Sequence, residues 1–233
     1  MSAVTSFNIS AWNAWAPGLA DADDWHRWAQ RPFAPTEDAQ PDVSFLPALQ
    51  RRRLSRLARM AFYVAWPLAE AYQAPQPLVF VSRHGETPRT FALLSELAER
   101  QPLSPTNFSL SVHNAIIGQW SIMRGDHSEM TALAGDADGF EHAVMEASLL
   151  LAEGAPSVLV VIAEELPPPA YEGWINDVPF PYAVALRLTR GDEWQLSQQP
   201  ATSQISVSEW PHALSLVQQL INEQPSRSQS CGP

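Results

Sequence analysis

The spacing of apolar positions changes along the chain, and each spacing predicts an element. Leu46, Leu49, Leu54, Leu57, Ala61, Val64 and Leu68 recur every three or four residues, which predicts one helix from Leu46 to about Gln73. Leu78–Val81 form a continuous apolar run, and residues 77–82 read as a buried strand. Residues 88–100 return to helical spacing, with Phe91, Leu94, Leu97 and Ala98 inward. A helix over 111–124 carries Ser111, Ala115 and Gly118 on one stripe, where small side chains let another backbone come close. A short strand over 129–134 leads into a helix over 136–154, with Phe140, Val144, Ala147 and Leu151 inward and Gly154 as its stop. Asp138 and Glu141 have the spacing of a capping box at its start. "PSVLVVIAEE" reads as a strand covered on both faces. Residues 181–190 and 193–198 read as two more strands around a Gly191-Asp192 turn. Ser208–Asn222 reads as a last amphipathic helix (Leu214, Val217, Leu220, Ile221), and Thr5–Trp12 as a first strand.

Alternating strands and helices, with buried strands in the middle, predict an α/β fold of layered helices around a mixed sheet. A single domain is expected over residues 1–223, followed by a disordered polar tail at 224–233. Trp12, Trp15, Trp25 and Trp28 crowd the Pro-rich segment 1–45, either as a hydrophobic clasp packed on the domain or as a docking surface.

Composition narrows the function. At 233 residues and 45% hydrophobic, the chain can bury a sizeable core. A formal charge of −11 argues against a general nucleic-acid partner. All 14 basic residues are Arg, which excludes Walker-type phosphate loops, Schiff bases and any Lys general base. The lone Cys231 gives neither a disulfide framework nor a thiolate cluster, and the six histidines show no ligand spacing, so no metal or cofactor is expected. No apolar run, Val158–Ala163 included, is long enough to span a bilayer, and the N-terminus lacks the pattern of a signal peptide. The expected location is the cytoplasm. Arg51, Arg52, Arg53, Arg56 and Arg59 fall within nine positions of the 46–73 helix, as a solvated face or as a landing patch for an acidic partner.

Two chemistries compete. "LVFVSRHGET" (78–87) resembles the strand-then-RHGET of phosphoglycerate mutase-type histidine phosphatases, in which His84 would be the phosphate acceptor. That chemistry also needs a second His, a second acid and a further Arg to neutralise the phosphoryl oxygens. His84-Gly85 is the only His-Gly pair in the chain, and more than 75 residues precede it.

The stretch from Pro102 to Glu165 resembles the N-terminal half of a β-ketoacyl synthase. "SPTNFSLSVHNAIIGQWSI" and "EMTALAGDADGFEHAVMEASLLLAEGAPSVLVVIAEE" follow that family's order: a helix, a short strand ending in T-A-C-A-x-G, a helix, and a strand ending in G-A-E. With "RRRLSRLARMA" and "SRHGE", the likeness covers roughly residues 6–190 and extends to the ketosynthase-like N-terminal-domain proteins of aryl polyene clusters. It implies a truncated thiolase-like fold in which Asp136 occupies the nucleophile position. A carboxylate cannot replace the thiolate, because acyl transfer to it would give an unstable mixed anhydride. The half carrying the ketosynthase histidines is expected to be absent.

The resemblance therefore implies no enzyme on its own. It implies a chain length factor: a subunit that pairs with a complete ketosynthase in type II polyketide or fatty acid elongation and meets acyl carrier protein indirectly. Strand 129–134, with Met130 and Ala132, would lie at the dyad. Helix 111–124 would wall the acyl tunnel, with Phe108, Ile116, Gln119, Trp120 and Met123 as candidates for limiting chain length. His113 and Asn114 either hydrogen-bond around the helix start or act at the partner's site. Asp136 either caps the following helix or meets an Arg or N–H groups of the partner.

Overall fold

The computed structural model describes residues 4–72, 74–197 and 210–223. Along the chain run β1 (Val4–Trp15), α1 (Ala22–Gln30), α2 (Ala48–Arg51), α3 (Arg56–Tyr72), β2 (Leu78–Val81) and α4 (Thr87–Ala98). They are followed by α5 (Pro105–Ser109), α6 (Ala115–Arg124), β3 (Met130–Leu133), α7 (Gly139–Glu153), β4 (Val158–Glu164), β5 (Tyr182–Ser197) and α8 (His212–Glu223). The strands form one sheet in the order β1-β5-β4-β2-β3. β2 is parallel to both β3 and β4, whereas β5 is antiparallel to β4 and β1.

Side chains alternate across the strands into two cores. Val79, Val81, Val160, Ile162, Val184 and Leu186 pack against α1, α7 and α8 on one face. Leu78, Phe80, Leu159, Val161 and Ala185 pack against α3 and α6 on the other. Every residue of β4 is buried, as its unbroken apolar run requires when both faces are covered. The tryptophans enter these cores: Trp15, Trp25 and Trp28 are buried and Trp12 is half-buried. Trp25 donates to the Ala14 carbonyl (3.2 Å) and Trp28 to the Phe33 carbonyl (2.8 Å).

Five local expectations need correction. The 46–73 helix is two helices, because Ser55 caps a fresh start: its Oγ accepts from the Ala58 N–H at 3.0 Å. The basic cluster is divided accordingly, with Arg51 in α2, Arg52 and Arg53 in the connection, and Arg56 and Arg59 in α3. Residues 182–197 form one strand. Gly191-Asp192 is a bulge where the β1 register jumps from Phe7↔Trp194 to Asn8↔Thr189, and Asn8 Oδ1 accepts from the Glu193 N–H (3.0 Å). α4 buries only Leu93. Leu94 and Leu97 are 51% and 57% exposed, because α4 lies beside α5 outside the sheet layers.

The Asp138–Glu141 capping box does not form. Asp138 has φ −95° and ψ 17°, away from the extended geometry a cap needs, and Glu141 turns to His212 instead (2.6 Å). Finally, α6 begins at Ala115, so Ser111 is outside it and, among the described residues, no backbone packs over Gly118. Gln73, Gln198, Ser208 and the 224–233 tail with Cys231 lie outside the described residues. No described helix is long and apolar enough to cross a membrane.

Candidate functional site

The C-terminal ends of the parallel strands are where α/β sheets gather functional loops. Here β2 runs into the turn Ser82–Glu86, β3 into Ala134–Asp138, and β4 ends on Glu164. Gly85 has φ +53°, and a Cβ there would meet the His113 ring at 2.8 Å, so this turn needs glycine. Gly135 lies so close to Gly139 that a Cβ on it would approach the Gly139 Cα to 2.4 Å, which folds the β3–α7 loop tightly onto the helix start.

Glu164 holds the first turn. Its carboxylate accepts from the N–H of Arg83, the N–H of His84 (3.4 Å) and the Ser82 hydroxyl (3.1 Å). Ser82 Oγ in turn accepts from the Gly85 N–H at 2.9 Å. Burial pushes the Glu164 carboxyl up, against the pull of these donors and of His84. The rest of the RHGET motif is engaged structurally. Thr87 donates to the His84 carbonyl, and the buried Glu86 accepts from Ser55 and from Arg89 (3.3 Å).

An ion network joins the loops. Arg83 Nη1 lies 2.7 Å from Asp136 Oδ1 and 2.9 Å from Asp177 Oδ2. His84 Nε2 lies 2.9 Å and 3.0 Å from the two Asp177 oxygens. Partial burial works against the Asp177 charge, but the hydrogen bond and charge of His84, with Arg83 behind them, hold its pKa below the usual carboxylate value. Asp136 accepts from the Ala137 N–H (2.9 Å) and makes no side-chain cap on α7.

Beside this network lies a cleft of about 640 Å3, within the range of small-molecule sites. Its described lining includes Arg83, Asp136, Glu164 and Asp177 as well as Phe140, Ile162, Tyr182 and Trp210. A phosphoryl dianion would face three carboxylates here, with the guanidinium already shared by two of them. The geometry therefore gives the histidine phosphatase reading no support.

The tunnel candidates separate. Ile116 and Trp120 are buried in the core against the sheet, with Trp120 edge-on to Phe62 at 5.3 Å. Phe108 is 63% exposed on α5, and Asn114 is exposed at the start of α6. Met123 is half-buried, Gln119 donates to the Arg53 carbonyl (3.3 Å), and His113 Nε2 meets the Leu133 carbonyl (2.8 Å). β3 is the sheet edge. Leu78 N–H bonds the Glu129 carbonyl and Ser82 N–H bonds that of Leu133, so the alternate residues Met130 and Ala132 turn their backbone polar groups to the open side.

Arg56 and Arg59 are taken by backbone: Arg56 donates to Ala39 O (2.8 Å) and Arg59 to Arg51 O (2.8 Å). Arg52 and Arg53 remain exposed. Sequence reading missed Asp177 and Ser82. The repeated acids ending "VVIAEE" were the one signal for Glu164, and nothing in "WINDVPF" marked Asp177.

A mixed sheet between helix layers, with β3 delivering a tight loop to the start of α7, defines a thiolase-like α/β domain. Residues 25–232 match the family model for the beta-ketoacyl synthase N-terminal domain, and the chain belongs to that family. A chain in the complex of the ketosynthase ApeO with its chain length factor ApeC from Xenorhabdus doucetiae is 30% identical, with a TM-score of 0.80, covering 93% of this chain and 91% of that one. The ishigamide ketosynthase/chain length factor (15% identity, TM-score 0.62) covers 79% of this chain and shares the fold. So does a beta-ketoacyl synthase from Burkholderia phymatum STM815 (17% identity, TM-score 0.58), which covers 82%. This chain spans only 62% and 60% of those two chains. No curated protein matches.

Proposed function

We propose that this chain is a chain length factor-type subunit that makes no condensation of its own and pairs with a complete ketosynthase to form its acyl tunnel. The observation that carries this is Asp136. By the family's motif order it stands at the nucleophile position, and its carboxylate is engaged by Arg83 at 2.7 Å. A carboxylate there cannot hold a thioester-derived acyl group. Likeness to a chain of the ApeO–ApeC complex over 91% of that chain's length supports the pairing.

In this account the partner strand adds to the open edge of β3 through the outward groups of Met130 and Ala132. Phe108, Asn114, Gln119 and Met123 are the candidates that can approach the shared tunnel, while Ile116 and Trp120 support it from the core. Of the basic cluster, Arg52 and Arg53 are the cations presented to an acidic partner such as a carrier protein. An aryl polyene system is the proposed setting.

Co-expression with a complete ketosynthase from the same genome tests the pairing. A stoichiometric complex through affinity and size-exclusion steps is expected. Separate elution of two well-folded proteins would end the proposal.

A further inference from the structure

Arg83 is the only described guanidinium that reaches the β3–α7 loop, where His142 Nδ1 also lies 3.4 Å from Asp138, and it does so while bound to a second loop. Asp136 and Asp177 lie within 2.9 Å of the same nitrogen, although 41 positions separate them in sequence. Their carboxylates are therefore within about 6 Å of each other, close enough for like charges to repel strongly if nothing stood between them. The turn that aims Arg83 is itself fixed from below, since Glu164 binds the N–H groups of Arg83 and His84. His84 Nε2 lies against both oxygens of the Asp177 carboxylate. The four groups thus have defined places, although the Arg83 and Asp136 side chains are 38% and 73% exposed.

We propose that Arg83 is a positioning residue, a latch that holds the Ala134–Asp138 loop to the segment around Asp177, with Asp136 as its counter-charge. On this account the aspartate at the nucleophile position is a working part of the fold: the position has exchanged a nucleophile for one half of an ion pair. The latch itself needs no partner. Its consequence, that a fixed loop beside β3 presents the correct surface to a ketosynthase, rests on the function proposed above.

Hydrogen exchange on the whole chain tests the latch, read at the amides of Ala137 and Gly139, which bond to Asp136 Oδ1 and Asp136 O. Asp136→Asn keeps the side-chain acceptor and removes only the charge. In the native background it should speed exchange at these amides about threefold, the size expected of a partly exposed pair, and leave β4 amides unchanged. In an Arg83→Gln background the sign reverses: the two carboxylates then face each other, so Asp136→Asn should slow exchange. An Asp136→Asn variant that exchanges like the native chain, or that loosens the loop equally in both backgrounds, would overturn the latch.

Affinity for the ketosynthase, measured with the same variants, is a separate reading. Weaker binding by Asp136→Asn supports the consequence for docking. If the native chain binds no ketosynthase, the functional proposal fails while the exchange result still decides the latch.

Discussion

Replacing Glu165 with Gln should stabilise this protein, and increasingly so as pH rises. Glu165 follows β4 and packs toward the start of α3. Burial, and then the nearby charges of Glu86 and Asp38, push its carboxyl up from 4.5 to about 7, against the opposing pull of Arg56 and of a hydrogen bond from the Leu57 backbone. The folded chain therefore holds this proton more tightly than the unfolded chain. Below about pH 4.5 both states are protonated and the group has no effect. Between about 4.5 and 7 the unfolded state ionises first, so native stability falls as pH rises; above 7 the loss is constant. A displacement of this size corresponds to about 3 kcal/mol, and partial exposure of the side chain reduces this to about 1–3 kcal/mol. Glu165→Gln keeps the shape and the acceptor but cannot ionise. Urea melts of both proteins from pH 4.5 to 8.5 should show an advantage for the variant that is small at the acid end, grows to about pH 7 and then levels. An advantage that is flat with pH, or that shrinks as pH rises, would refute the reasoning.

Other outcomes follow from the same structure. Trp28 is fully buried among Trp25, Phe180 and Trp210, so Trp28→Ala should cost about 3–5 kcal/mol in urea unfolding, which places the N-terminal segment inside the cooperative unit. Ala132→Pro removes an N–H that faces the open side of β3, so it should leave the melting temperature nearly unchanged while weakening ketosynthase binding at least about tenfold. His84→Ala should leave phosphatase assays at the background seen with the native chain, because His84 serves Asp177.

What could be read from the sequence was what local pattern controls. β4 is unbroken in apolar residues because both its faces are covered, and the inward face of α7 has Val144, Ala147 and Leu151 at helical spacing. What could not be read depended on partners distant in sequence. The Gly191-Asp192 pair looks like a hairpin turn until Asn8 is seen filling the bulge from β1. The break before α3 depends on one serine hydroxyl, which apolar spacing does not register. α4 has the periodicity of a packed helix, yet presents two leucines outward. At the site, motif order led to Asp136 and to the Arg83–Thr87 turn. It gave no sign of Asp177, whose role exists only because the fold brings residues 83, 136 and 177 together.

The role proposed for this chain is tested most directly by the product distribution of a complete ketosynthase from the same genome, assayed by mass spectrometry with and without this chain. The ketosynthase alone should elongate poorly or to the wrong length, adding this chain should restore a defined product, and this chain alone should make none. A ketosynthase giving the same products at the same rate in its absence, or condensation by this chain alone, would contradict it.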